Sequence, residues 1–108
     1  MCNDFYCKQV LSGAVAVDKV IETEHVLAFH HTKPSWPVHI VVIPKFHIES
    51  LLDLIHEHSD LLTEMMDVLA GVVDKVWREH GGCRLTTNFG KLQQTKHLHW
   101  HVYVAENM

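Results

Sequence analysis

The chain has 108 residues, 47% hydrophobic and 20% charged, which fits a single globular domain with its own core. Nine basic against thirteen acidic residues give a formal charge of −4, which argues against a broad nucleic-acid footprint and confines any phosphate binding to a local site. No apolar run is long enough for a bilayer, no leader-like segment opens at Met1, and the three cysteines (Cys2, Cys7, Cys83) lack framework spacing, so a reduced, cytoplasmic setting is expected.

In chain order, residues 4–11 predict a short helix with Asp4 as N-cap, stopped by Ser12-Gly13. Residues 15–22 and 25–31 predict two strands joined by a tight turn near Thr23-Glu24. Pro34 and Pro37 punctuate a loop around Trp36. The β-branched run at residues 38–43 predicts a strand buried on both faces, ended by Pro44. One long helix is expected to start at Ser59 or Asp60. Leu61, Leu62, Met65, Leu69, Val72, Val73, Val76 and Trp77 recur at three- and four-residue spacing, and Gly81-Gly82 stops it. Met66 and Val68 broaden the apolar stripe, which suggests cover on more than one side. Residues 84–88 predict a fourth strand, residues 89–96 a polar turn and residues 97–104 a fifth strand. The whole reads as an α+β domain.

The C-terminal run His97-Leu98-His99-Trp100-His101-Val102-Tyr103 carries the chemistry. In a strand its three imidazoles share one face, roughly 6.5–7 Å apart, while Leu98, Trp100 and Val102 face the core. Three readings stay open at this level. The histidines could lie on a solvated face, or a His-x-His pair could hold zinc with a third ligand. In the third reading one imidazole attacks while its neighbours orient it and stabilise charge. With a pKa of ~6.5, about three quarters of an imidazole is unprotonated at neutral pH, which suits attack on phosphorus.

Nearby residues favour phosphate. His47, just past Pro44-Lys45-Phe46, is a candidate fourth imidazole. The loop Asn88-Phe89-Gly90-Lys91-Leu92-Gln93-Gln94-Thr95-Lys96 brings amides, a hydroxyl and two lysines to the start of the triad. His25 and His39 read as structural, His56 and His58 as solvated, and His80 as a helix C-terminal cation. Trp36 and Trp77 read as packing residues. Cys2 and Cys83 have no identifiable partner.

These residues resemble the histidine triad (HIT) nucleotide hydrolases and transferases. The similarity runs through Asp4-Phe5-Tyr6-Cys7-Lys8, His25-Val26-Leu27-Ala28-Phe29-His30, the segment from Pro37 to Ile48, and Asn88-x-Gly90 with Gln93. The resemblance implies a five-stranded antiparallel sheet with one long helix and a short N-terminal helix, in a homodimer. It implies that His99 attacks the α-phosphate to form a nucleotidyl-histidine, with His97 and His101 holding the phosphate and orienting His99, and His47 near the site. Asn88 and Gln93 would bind ribose or phosphate, and Ile21, Phe29 and Ile43 the base. The substrate class implied is a purine nucleoside phosphoramidate or dinucleoside polyphosphate, with an AMP-type product and no cofactor.

The chain departs from the family pattern in several places. His31 stands where relatives often have an acidic or amide residue for the ribose. Gln94 replaces a serine that often assists the leaving group, with Thr95 nearby, and this loop is about two residues shorter. Asp4-x-x-Cys7 replaces a frequent Cys-x-x-Cys zinc pair, so no zinc is expected on Cys7, His47 and His97. The third histidine is kept as His101, which favours hydrolase over transferase. The sequence stops soon after the triad, at Met108, so no substrate-shaping tail is expected. A catalytically weak nucleotide-binding regulatory module is the alternative function, and a metal-binding protein built on the three histidines a third.

Overall fold

The computed structural model describes residues 4–105; Cys2 and Met108 lie outside them. The β-branched run forms β3 (Val38–Pro44), flanked by β2 (Val26–His30) and by β5 (Trp100–Val104). β1 (Lys19–Glu22) and β4 (Arg84–Thr87) form the outer strands of one antiparallel sheet, ordered β1-β2-β3-β5-β4. The expected α+β fold is present, with β3 buried from His39 to Pro44.

One face of the sheet is covered by α2 (Leu62–His80), entered through a 3₁₀ turn at Ser59–Leu61. Ile40, Val42, Leu98, Trp100 and Val102 pack there against Met65, Leu69, Val72 and Val76. Gly81 ends the helix in the left-handed region, at φ 86°, where a residue with a Cβ would be strained. Glu64, in the first turn, ties the helix to the β1–β2 turn. It accepts from the Thr23 hydroxyl at 2.5 Å and the His25 backbone N–H at 2.8 Å, and pairs with His25 Nδ1 at 2.9 Å. The other face carries a π-helical segment, Tyr6–Leu11, whose Tyr6 and Val10 cover Leu27, Phe29, Val41 and Ile43.

Three differences from the sequence reading exceed a residue or two at an element's end. The first strand begins only at Lys19, because β2 ends at His30 and offers no ladder partner further back. A helix absent from that reading, α1 (Leu51–Glu57), follows Ser50, whose backbone N–H and hydroxyl both donate to Asp53 Oδ2 at 3.2 Å. The fifth strand begins at Trp100 rather than at residue 97. Continuing the β3–β5 register would set Leu98 against Pro44, which has no N–H to give. Leu98 donates instead to the Ile48 carbonyl at 2.6 Å.

Candidate active site

The register between β3 and β5 decides which histidines meet. Val41 lies opposite His101 and His39 opposite Tyr103, so His39 and His101 are diagonal neighbours on one face. His39 Nε2 and His101 Nδ1 are 2.8 Å apart. His39 Nδ1 accepts the Ser35 backbone N–H at 3.2 Å, so the His39 proton is on Nε2 and is donated to His101 Nδ1. The His101 proton is therefore on its own Nε2.

His99 is set by the main chain. Its Nδ1 lies 2.7 Å from the His97 carbonyl, which can only accept, so Nδ1 carries the hydrogen and Nε2 a lone pair. The rings of His99 and His101 lie 5.0 Å apart. Burial lowers the pKa of His99, and lowers His39 and His101 to about 4. These imidazoles are neutral at pH 7, the state a nucleophile needs.

They line a cavity of about 420 Å³, together with His31, Tyr6 and Trp36. Asn88, Gln94 and Thr95 contribute from the loop before the triad. A larger groove, about 560 Å³, runs between residues 10–17 and β1, but it contains no imidazole, so the chemistry lies in the smaller one.

Other expected site residues stand elsewhere. His97 is fully buried and does not line the cavity; it orients His99 through its carbonyl rather than by holding phosphate with its ring. Gln93 is buried and donates to the Glu49 carbonyl at 2.6 Å, anchoring the loop. Phe29 and Ile43 are core residues beneath Tyr6, and Ile21 packs toward Gly71 of α2 on the opposite face. His47 also lies outside the cavity, while His39, read as structural, lines it. The signal for His39 was its alternation with Val41 and Ile43 once the pairing register is known.

His47 belongs to a second group behind the triad. Asp4 Oδ2 lies 2.7 Å from His47 Nδ1 and 3.1 Å from His97 Nδ1, while Asp4 Oδ1 accepts the Cys7 N–H at 2.9 Å. His97 Nε2 donates to the Pro44 carbonyl at 3.0 Å, so Nδ1 of a neutral His97 would face the Asp4 carboxylate with a lone pair. Two acceptors in contact call for a hydrogen or a metal ion between them. Burial raises the Asp4 pKa, but the Cys7 N–H and the two histidines outweigh it and hold the carboxyl below its ordinary value.

One donor atom from each of Asp4, Cys7, His47 and His97 falls within a 4.8 Å cluster. A carboxylate, a sulfur and two imidazoles suit zinc. With Cys7 reduced, the residues would fit the metal that the family pattern implies, although the Asp4 substitution led the sequence reading to expect none. Cys7 is disulfide-bonded, contrary to the reduced thiol expected, whereas Cys83 is free. The Cys7 sulfur becomes a thiolate ligand only on reduction.

A triad of alternating histidines beside a polar loop, on this sheet, coincides with what comparison with known proteins returns. The family model described as "Scavenger mRNA decapping enzyme C-term binding" matches residues 4–108. An uncharacterised HIT-like protein of Helicobacter pylori is 32% identical over 97 residues, covering 88% of this chain and 90% of the relative. The chain belongs to the histidine triad family. An Escherichia coli protein named purine nucleoside phosphoramidase is 27% identical over 104 residues, 94% of this chain and 87% of its own. Among solved structures, a HIT family hydrolase from Legionella pneumophila superposes with a TM-score of 0.79 at 27% identity, covering 94% and 92% of the two chains. A histidine triad protein from Clostridium difficile does so with 0.75 at 32% identity, covering 96% and 91%. The chain is a HIT family hydrolase-like protein, and no helix among its described residues is long and apolar enough to cross a membrane.

Proposed function

We propose that this protein is a nucleotide hydrolase that works through a nucleotidyl-histidine on His99. The observation that carries the reading is the 2.7 Å bond from His99 Nδ1–H to the His97 carbonyl, which leaves Nε2 unprotonated at the cavity wall. In the first step Nε2 forms a bond to the α-phosphorus. The bond from phosphorus to the leaving nitrogen or oxygen breaks, its electron pair departs with that group, and a leaving nitrogen takes up a proton from solvent. The positive charge that develops on the ring is stabilised by the same Nδ1–H···O bond. The His101 Nε2–H is a donor for a phosphoryl oxygen, with Asn88 and Gln94 as further donors and Thr95 supplying a hydroxyl near the leaving group. In the second step a water oxygen replaces His99 on phosphorus, its proton is released, and an AMP-type product leaves.

The substrate class proposed is a purine nucleoside phosphoramidate or dinucleoside polyphosphate. The name of the Escherichia coli relative supports the former. Neither step requires a cofactor. With Cys7 reduced, a zinc ion on Asp4, Cys7, His47 and His97 would supply fixed positive charge that ties the N-terminal segment to the rear of the triad. Chromatographic assay of adenosine 5′-phosphoramidate tests the proposal: wild type should release AMP and His99→Ala should not. No turnover by wild type that binds AMP would leave the regulatory binding module, favoured by the absence of a hydroxyl at Gln94, as the better reading.

A homodimer and a cytoplasmic location complete the proposal. β4 is an outer strand, and Leu62, Met66, Ala70, Val73 and Trp77 form an incompletely covered seam along α2, with Trp77 63% exposed. Light scattering should give twice the 12.5 kDa chain mass.

A further inference from the structure

The row of imidazoles extends beyond the triad. His99, His101, His39 and His31 follow one another across the sheet, with successive ring centroids 5.0, 5.0 and 4.3 Å apart. A phosphoryl group bonded to His99 has His101 beside it. The His31 ring lies a further 6.4 Å from His101, stacked on His39, and has no part in holding that group.

His31 nevertheless lines the same cavity, and its hydrogen-bonding character is fixed. Its Nδ1 accepts the Lys33 backbone N–H at 2.9 Å, so the hydrogen is on Nε2, which can only donate. Ser35 adds a hydroxyl at this end of the cavity, next to Trp36. Among the described residues no carboxylate lines the cavity. Nothing there repels an anion, and no carboxylate is present to accept hydrogen bonds from a pair of sugar hydroxyls.

We propose that this end of the cavity is a second anion subsite, where His31 Nε2–H donates to a second phosphate on the bound nucleotide. The subsite rests on the reading of the cavity as a nucleotide site. The second phosphate could extend the 5′ chain or sit on the sugar, and three probes separate these sources. Isothermal titration calorimetry would compare AMP, the non-hydrolysable α,β-methylene ADP, and adenosine 3′,5′-bisphosphate, on wild type and on His31→Asn. His31 is partly exposed at the cavity edge, so the variant should fold.

One doubly phosphorylated probe should bind wild type about tenfold tighter than AMP, the size of one good charge-assisted contact. The identity of that probe locates the phosphate. In His31→Asn the ratio should fall to about threefold or less. Equal binding of all three probes, or an advantage that survives in His31→Asn, overturns the subsite while leaving the nucleotide reading intact. Failure of wild type to bind any of the three overturns both.

Discussion

Two histidine groups lie back to back in this molecule, and they obey opposite electrostatics. The cavity group, His31, His39, His99 and His101, has no carboxylate, and burial keeps its rings neutral. The rear group, His47 and His97 with Cys7, is organised around the Asp4 carboxylate, which accepts from its neighbours. His97 and His99 are two residues apart, yet one faces a carboxylate and the other an open cavity. Residue type does not assign the role; the acceptor opposite each ring nitrogen does.

The largest expected effect that would sharpen this contrast is on the proposed nucleophile. His99→Ala should lower kcat on adenosine 5′-phosphoramidate by on the order of 10³-fold or more, read by single-turnover kinetics. His47→Ala, in the rear group, should leave far more activity; equal losses would break the comparison. Next comes His39, a positioning residue that fixes the His101 tautomer. His39→Phe should cost about 10–100-fold in kcat, with His39→Gln, which keeps an N–H donor, recovering part of it. A loss confined to KM would mean that His39 only shapes the cavity.

The groups should also differ in their response to acid. His39 and His101 have folded pKa values near 4, below the ordinary value of about 6.5. The unfolded chain therefore takes up protons first, and the stability these neutral rings contribute, fully present above about pH 6.5, is lost as pH falls toward 4. His39→Phe should flatten that part of the melting-temperature profile. In the rear group Asp4→Ala removes the acceptor shared by His47, His97 and the Cys7 N–H, and should destabilise by about 2 kcal/mol in chemical denaturation. Unchanged stability would show that the Asp4 contacts carry no net energy.

The smallest expected effect lies outside both groups. Glu64→Gln should lower the melting temperature by about a few degrees and leave turnover unchanged. The Thr23 and His25 contacts lower the Glu64 carboxyl to about 2, and the hydrogen bond with Glu64 raises His25. The contribution from Glu64 is present above about pH 4.5 and is lost as pH falls toward 2. The contribution from His25 is present below about 6.5 and is lost as pH rises through its raised folded pKa.

Much of this was readable from the chain. Alternation placed Leu98, Trp100 and Val102 in the core and the triad on the other face, because side-chain period in extended chain survives even where the ladder stops. The long helix followed from its apolar spacing. α1 was missed although Ser50-x-x-Asp53 precedes it, since seven residues give little periodicity to read. His39 was missed because its partner, His101, lies 62 positions away, and only the β3–β5 register joins them. His47, expected near the site, lies outside the cavity. It follows the central strand, as a site residue should, but the chain turns at Lys45-Phe46 and carries it toward Asp4. The base-pocket candidates Phe29 and Ile43 lie in the core, where Tyr6, from the N-terminal helix, covers them.

The most direct test is intact-protein mass spectrometry of an acid-quenched reaction with adenosine 5′-phosphoramidate, on wild type, His99→Ala and His47→Ala. An adenylyl adduct in wild type and His47→Ala, absent from His99→Ala, is the predicted result. An adduct that persists in His99→Ala would contradict the account, because the nucleophile would then be another side chain.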